Sequence, residues 1–395
     1  MSIDAPTKNS GPRGRLRRNT DFITVAAFLG LLALPLGVGW LGDGSGVSQT
    51  ENRRLAQAPE LEARWESWAS FPRRSEAYFD DHLGLRESMI RNFTRFNIAL
   101  FGVSPSEKLI VGREGWLFFG DANAVAHVRG VDPLGPGELA RWRRTLEERR
   151  DWLAERGIAY LLILVPDKHE IYAEYLPPSL PPATETRPLD QLASYLATRS
   201  DIEVLDLRAP LIAEKAARRV YHRTDTHWND AGAYAAYRAT LDRLRKMLPH
   251  LENARQLTVR RGVEEQPGLG LASLVGLEDL YPEEVLIAEP IDPKAEIARE
   301  YRAGYERRVS TLSPFAHGVA DSKLPRAVMF RDSFANALVP YLSEHFRRIL
   351  YVWSRDVDPG VVGVEKPDIV IQQIVGRFLG RRPRGIQELE TADSP

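Results

Sequence analysis

The sequence contains no cysteine, which excludes disulfides, thiolate catalysis and cysteine-ligated zinc or iron–sulfur centres together. The absence does not choose a compartment; it is compatible with an oxidising one. Net charge is also nearly absent, at −1, so there is no electrostatic reason to expect a nucleic-acid partner. That balance is uneven. Residues 1–42 carry Lys8, Arg13, Arg15, Arg17 and Arg18 against Asp4 and Asp21, and the remainder is mildly acidic. No internal repeat is present. Ligand-type residues crowd at His222, Asp225 and His227, but with no cysteine and no HExxH-type spacing neither a metal nor another cofactor is expected. Glu51, Glu87 and the other carboxylates show no pairing of the glycosidase kind. What remains is a globular composition, 43% hydrophobic and 27% charged over 395 residues, sufficient for one large domain or two modest ones.

From Phe22 to Gly42 no charged residue occurs and Thr24 supplies the one hydroxyl. About twenty such residues suffice for a helix to cross a bilayer core. Four arginines precede the stretch and none follows until Arg53, so the positive-inside rule places the N-terminus in the cytoplasm. The length exceeds that of a signal-peptide core, and no A-x-A-like site follows. The expectation is therefore a basic cytoplasmic tail over 1–21, an uncleaved transmembrane anchor over 22–42, and a single-pass inner-membrane protein whose catalytic part is periplasmic.

Residues 43–110 read as a linker and a helical region, with helical periodicity over Glu60–Phe71 and Tyr78–Phe101. The run from Lys108 to Phe119 predicts a hairpin turning at Gly112-Arg-Glu-Gly115. Helix and strand then alternate. Glu138–Arg156, Leu189–Arg199 and a segment from Asn229 or Asp230 to Leu248 are helical. Tyr160–Val165, Glu203–Leu207, Arg326–Phe330, Arg348–Trp353 and Asp368–Ile371 are strands, and Phe334–Phe346 is a helix. The rhythm predicts an α/β fold, a parallel sheet flanked by helices, over 111–380. Residues 251–324 break it and form an insertion whose role the sequence does not reveal; 381–395 is a tail.

Strand, tight turn, serine and helix follow one another around Ser333. Such a serine sits at the carboxyl end of a buried strand, where open sheets place their sites, and its backbone N–H can stabilise an oxyanion. Taken alone, Ser333 and Asp332 read equally as helix caps. Asp225-Thr-His-Trp-Asn229 shifts the balance. In extended backbone a carboxylate and an imidazole two residues apart point the same way. Asp225 then holds the His227 tautomer, leaving Nε2 to take a proton from serine. Trp228 and Tyr221 supply apolar cover. His222 and His127 read as surface or core histidines paired with a nearby acid.

Several motifs in one order resemble the SGNH-hydrolase-like domain of the AlgJ/AlgX family of alginate O-acetylation proteins, over about residues 50–380. They are Glu51-Asn-Arg53 with Leu55 and Pro59, Tyr78-Phe-Asp-Asp-His-Leu-Gly-Leu-Arg86, Val111-Gly-Arg-Glu-Gly-Trp-Leu-Phe118, Val165-Pro-Asp-Lys168 with Tyr172, Thr224-Asp-Thr-His-Trp-Asn229, and Asp332-Ser-Phe334. The resemblance implies a catalytic triad of Ser333, His227 and Asp225, and acetyl transfer to hydroxyls of an exported polysaccharide. It also implies a membrane-bound O-acyltransferase as the donor partner. Chain length resembles the AlgJ type, which lacks the extra carbohydrate-binding domain of AlgX. Two departures stand out. Arg331 precedes Asp332 where SGNH proteins carry a small residue, and no Gly-x-Asn-Asp block supplies further oxyanion donors beyond the Ser333 N–H. Arg331 either meets an anionic sugar or is a solvated charge. Lys168, Gln372 and Gln373, at predicted strand ends, either line the cleft or are ordinary surface polarity. An esterase using the same triad, and a non-catalytic polysaccharide-binding scaffold, are the competing functional readings.

Overall fold

A computed structural model describes residues 12–41, 46–48, 53–180, 186–298 and 314–392. Glu51, the first eleven residues of the expected tail and part of the expected insertion lie outside the described residues. The chain separates into two compact units, residues 1–100 with 274–276, and residues 101–273 with 277–395.

The first unit contains helices α1 (Pro12–Leu41), α2 (Trp65–His82) and α3 (Arg86–Phe101). Leu85, in left-handed backbone at φ 64°, separates the last two. Among the described residues no helix is long and apolar enough to cross a membrane. This overturns the anchor expected over 22–42 and the single-pass inner-membrane placement drawn from it. The expectation counted residues by their lack of charge. The helix begins at Pro12, well upstream of the expected anchor, takes in Arg13, Arg15, Arg17 and Arg18, and has Pro35 inside it. The Pro35 carbonyl accepts a hydrogen bond from the Gly84 N–H at 2.9 Å.

The second unit opens with the predicted hairpin, β1 (Leu109–Val111) and β2 (Leu117–Phe119). Its turn is made by Glu114 and Gly115, both at positive φ. Helix α4 (Ala122–Arg129) follows, capped by the Asp121 side chain and ended by a left-handed Gly130. Then come α5 (Pro136–Ala154), β3 (Ala159–Val165), α6 (Pro188–Arg199), β4 (Glu203–Asp206), α7 (Arg208–Lys215) and α8 (Asp230–Met247). Of the two cap candidates before α8, Asn229 takes the role, accepting from the Gly232 N–H at 3.0 Å. The stretch taken as an insertion holds an eight-residue antiparallel hairpin, β5 (Val259–Gln266) with β6 (Glu283–Pro290), and the short β7 (Glu296–Ile297). Strands β8 (Phe315–Gly318), β9 (Arg326–Arg331) and β10 (Arg348–Trp353), helix α9 (Pro359–Glu365), β11 (Ile369–Val375) and helix α10 (Ile386–Ala392), which lies in the stretch taken as a tail, follow.

Seven strands form the central sheet in the order β4-β3-β11-β9-β10-β8-β7. The first five run parallel, as expected; β8 pairs antiparallel with β10, and β7 with β8, so the sheet is mixed at one edge. Alternate residues of each strand bury against opposite layers. Leu161, Ile163, Met329, Ile371 and Tyr351 face Tyr237 and Leu241 of α8. Tyr160, Leu162, Leu164, Val328 and Val370 face Trp142 and Leu146 of α5 and Leu192 of α6. The helix expected over Phe334–Phe346 is broken into Ser333–Leu338, Val339–Leu342 and Ser343–His345. Pro340, which has no N–H to give, sits in the first turn of the middle piece and restarts the helix there.

Ile371 is fully buried at the centre of the sheet. Ile371→Ala should lower the unfolding free energy by roughly 2–5 kcal/mol, read from urea unfolding by circular dichroism. An unchanged midpoint would remove β11 from the load of the core.

Candidate active site

Ser333 follows directly from β9, the middle strand of the sheet, after a turn made rigid by its neighbour. Asp332 is buried; its Oδ1 accepts from the Phe334 N–H (3.0 Å) and the Gln373 amide (2.8 Å), and its Oδ2 from the Val375 N–H (3.0 Å). The Gln373 carbonyl in turn accepts from the Asp332 N–H at 3.2 Å. Burial raises the Asp332 carboxyl above its usual range, against these bonds. Gln373 is thus a splint between β11 and the serine turn. Ser333 begins a 3-10 helix, so its N–H is among the donors that the helix cannot satisfy.

The second half of the site is an irregular turn. Tyr221 and Trp228 form an isolated antiparallel bridge, and the His222 N–H reaches the His227 carbonyl at 3.2 Å. The backbone between them is bent rather than extended, which corrects the expected strand-like spacing. Asp225 reaches its neighbour by an Asx turn instead: Oδ1 accepts from the His227 backbone N–H at 2.9 Å and lies 2.6 Å from the ring Nδ1. A carboxylate only accepts, so Nδ1 carries the proton and Nε2 presents its lone pair. The Ser333 Oγ lies 2.7 Å from that Nε2, joining residues 106 positions apart. Burial alone would raise the Asp225 carboxyl, but the hydrogen bond and charge of His227 outweigh it and hold the group well below the usual carboxylate range. Trp228 is buried and meets Phe334 edge-on at 5.2 Å, providing the expected apolar cover. Both ring nitrogens of His227 are committed, which leaves neither for a metal at His222, Asp225 and His227.

Two buried charges and one exposed backbone N–H impose the shape of this turn. The Lys168 ammonium donates to the carbonyls of His222 (3.0 Å), Arg223 (3.0 Å) and Asp225 (2.6 Å), gathering the loop beneath β3. Burial pushes that lysine down to about 7, against the pull of Asp225 and Glu283. Glu283, on β6, accepts from the Thr224 N–H (2.8 Å) and hydroxyl (2.7 Å) through Oε2 and from the Arg223 N–H (3.1 Å) through Oε1. The Gly270 N–H donates to the free oxygen of Asp225 at 3.0 Å. The stretch taken as an insertion is therefore part of the site's frame. Beside it, Arg377 pairs with the buried Asp167, whose other oxygen accepts from the Arg377 N–H at 2.8 Å, and the same guanidinium approaches the Thr226 hydroxyl at 3.5 Å.

The remaining candidates fall inside the protein rather than on its surface. Arg331 is buried, donates to Asn336 Oδ1 at 2.7 Å and lies over Trp353 at 4.7 Å, so it is not a solvated charge. Gln372 is fully buried and accepts from Arg149 (3.0 Å) and Tyr160 while donating to the Arg355 carbonyl at 2.7 Å. Its amide is spent on the scaffold, not on the cleft. His222 lies 3.9 Å from Glu283, and burial pushes it down to about 4, a neutral core histidine. His127 is also buried, 3.5 Å from Glu170. His127, Asp167 and Glu170 lie close enough together to share a metal ion, but both Asp167 oxygens already accept from Arg377. Sequence reasoning missed Gly270, Glu283 and Arg377. Asp167 stood beside Lys168 in the Pro-Asp-Lys motif and carried a signal that went unused.

The family described as "SGNH hydrolase-like domain, acetyltransferase AlgX" matches residues 109–354. A probable alginate O-acetylase AlgJ of Pseudomonas syringae is 25% identical over 268 residues, 67% of this chain and 63% of that protein. Its counterpart in Pseudomonas putida is 30% identical over 218 residues, 54% and 50% of the two chains. The chain thus spans less than two thirds of either relative. Among solved structures, PatB1 of Bacillus cereus aligns with a TM-score of 0.51 at 15% identity, covering 67% of this chain and 95% of that one. The O-acetyltransferase domain of P. putida AlgJ aligns at 0.46 and 19% identity, covering 70% and 94%. At 15% identity the likeness to PatB1 speaks to the fold alone.

A Cβ at Gly270 would stand 2.3 Å from Asp225 Oδ2 and displace the carboxylate. Gly270→Ala should therefore slow modification of Ser333 by a sulfonyl fluoride about ten-fold or more, since small misplacements at a reacting centre are amplified in rate. Mass spectrometry of the labelled peptide follows the reaction. Labelling at the parental rate would mean that Gly270 does not position Asp225.

Proposed function

Because the chain belongs to the AlgX-type SGNH hydrolase-like acetyltransferase family, we propose that it moves acetyl groups onto hydroxyls of a polysaccharide by way of an acyl-enzyme on Ser333. The observation that carries this reading is the continuous line Asp225–His227–Ser333, with separations of 2.6 and 2.7 Å. Ser333 Oγ attacks the acetyl carbon while His227 Nε2 takes the hydroxyl proton; Asp225 steadies the imidazolium through Nδ1. The Ser333 N–H faces the oxyanion that forms. Collapse of the intermediate expels the donor's alcohol, which receives the proton from His227. The sugar hydroxyl then repeats the sequence in the opposite direction, giving its proton to His227 and freeing Ser333. The acetyl donor in this scheme is a membrane-bound O-acyltransferase partner, and no cofactor takes part.

Hydrolysis is the competing outcome of the same chemistry. The His227 side chain is 33% exposed, so water can reach the acyl-enzyme where no sugar is bound. The protein then behaves as an acetyl esterase. A purely binding role sits poorly with an imidazole aligned between carboxylate and hydroxyl.

The depressed Asp225 carboxyl has a signed consequence. A group whose folded pKa lies below its unfolded value of about 4 contributes stability that is fully present above that value and lost as pH falls through the folded one. Asp225 thus remains charged, and its support of His227 intact, throughout the neutral and mildly acidic range.

With p-nitrophenyl acetate as donor, an acetyl group should be found on the peptide bearing Ser333. Ser333→Ala and His227→Ala should abolish it, and Asp225→Asn should slow turnover by on the order of 10³–10⁴. Acetylation that persists in Ser333→Ala protein would sink the acyl-enzyme. A wild-type protein giving acetate alone in the presence of an oligosaccharide would favour the esterase.

A further inference from the structure

The hairpin of β5 and β6 lies against α8, and between them is a cleft of about 250 Å³ that shares no lining residue with the cleft of Ser333. Ala231 and Tyr234 of α8 and Ala288 of β6 line it as buried residues, with Val263 and Leu286 beside them. Val263 stands opposite Leu286 in the hairpin and Arg261 opposite Ala288, so all four share one face. Val263 is 59% exposed, an apolar side chain left to water. The carboxylates nearby are engaged. Glu214 is held by Arg218 at 2.9 Å and by Arg238 at 2.6 Å, Glu289 pairs with Arg260, and Asp230 accepts from the Ala288 N–H at 3.1 Å. Arg261 is left over. Among the described residues no carboxylate lies within ion-pair distance of it, and its guanidinium lies over the Tyr234 ring, 5.8 Å from the centre. An apolar lining with a surplus guanidinium favours a ligand of matching make, an apolar body with one negative head. An apolar cavity of about 150 Å³ takes a benzene ring, so this larger one has room for a chain of roughly eight carbons.

We propose that this cleft binds a medium-chain alkyl carboxylate, its head on Arg261 and its chain on Ala231, Tyr234 and Leu286, and that occupancy tightens the catalytic turn. Each wall of the cleft is joined to that turn. Helix α8 begins directly after Asn229, whose side chain donates to the Arg219 carbonyl at 2.9 Å. Arg219, the neighbour of Arg218, pairs with Glu283 at 3.0 Å. Strand β6 brings Leu286 and Ala288 to the cleft and Glu283 to the amides of Arg223 and Thr224. A ligand bridging β6 and α8 therefore favours the arrangement that holds Asp225 and His227, to the extent that it binds that arrangement better than a loosened one.

Calorimetry with octanoate, 1-octanol and octyltrimethylammonium, each below the concentration at which it aggregates, reads the site. Octanoate should bind at least about ten-fold more tightly than octanol, and the ammonium should not bind. Arg261→Ala should bring octanoate down to the affinity of octanol, and Arg261→Lys should keep part of the margin. Val263→Trp, which fills the cleft from an exposed strand position, should remove binding of both while Ser333 keeps its parental reactivity. Saturating octanoate should speed modification of Ser333 by a sulfonyl fluoride about five-fold in the wild type and leave Val263→Trp unchanged. Equal affinity for octanoate and octanol, or undiminished octanoate binding in Val263→Trp, overturns the site. Binding that leaves the rate at Ser333 unaltered overturns its link to the catalytic turn. A Ser333 that resists the sulfonyl fluoride with and without octanoate defeats the proposed function separately, and the calorimetry still decides the site.

Discussion

The imidazole of His227 can serve Ser333 only while the bend from Tyr221 to Trp228 keeps its shape, and that bend has almost no regular structure of its own. Its conformation is imposed from two sides. Lys168 draws three carbonyls inward from below β3, and Glu283 holds the N–H groups of Arg223 and Thr224 from β6. Each is a buried charge whose partners are ready-made, which is the condition under which a buried charge is tolerated. The same contacts fix direction, because a clamp on backbone carbonyls and amides sets dihedral angles more firmly than side-chain packing does. Asp225 is left with one oxygen for His227 and one for Gly270.

The parallel strands were legible in the sequence because burial on both faces writes a continuous apolar run, as in Tyr160–Val165 and in Ile369–Ile371. The start of α8 was legible from its cap, whereas Pro136 and Pro188, which open α5 and α6, were passed over. The broken helix after Ser333 was not legible, since Pro340 reads equally as an interior kink and as a restart. The hairpin of β5 and β6 escaped notice because the middle of β5 is exposed throughout and carries no apolar alternation. The anchor was read from an uncharged run bounded at Phe22, whereas the helix spans Pro12–Leu41 and carries the preceding arginines.

Within the site, the serine turn and the Asp-Thr-His-Trp motif announced themselves through residue type and spacing. Gly270, Glu283 and Arg377 did not, for their roles are set by proximity across the fold and not along the chain. Lys168, Gln372 and Gln373 were recognised as polar residues at strand ends and Arg331 as a departure before Asp332, each left between the cleft and the solvated surface. The structure buries all four. In a sheet covered on both faces the carboxyl ends of the inner strands are themselves interior, so polar side chains there must bond to one another or to backbone. A fully bonded network of this kind stiffens the ground beneath a reacting group.

Strand β11 has a consequence for biosynthesis. It lies between β3 and β9, yet follows both in the chain, and it brings Gln373 to the turn that bears Ser333. A nascent chain emerging from the ribosome therefore holds a gap in the middle of its sheet until these residues appear. The exposed flanks of β3 and β9 then offer open pairing edges to any neighbour. The nucleophile acquires its rigid mounting only at that late insertion, so synthesis itself delays reactivity until nearly the whole domain is available to contain it.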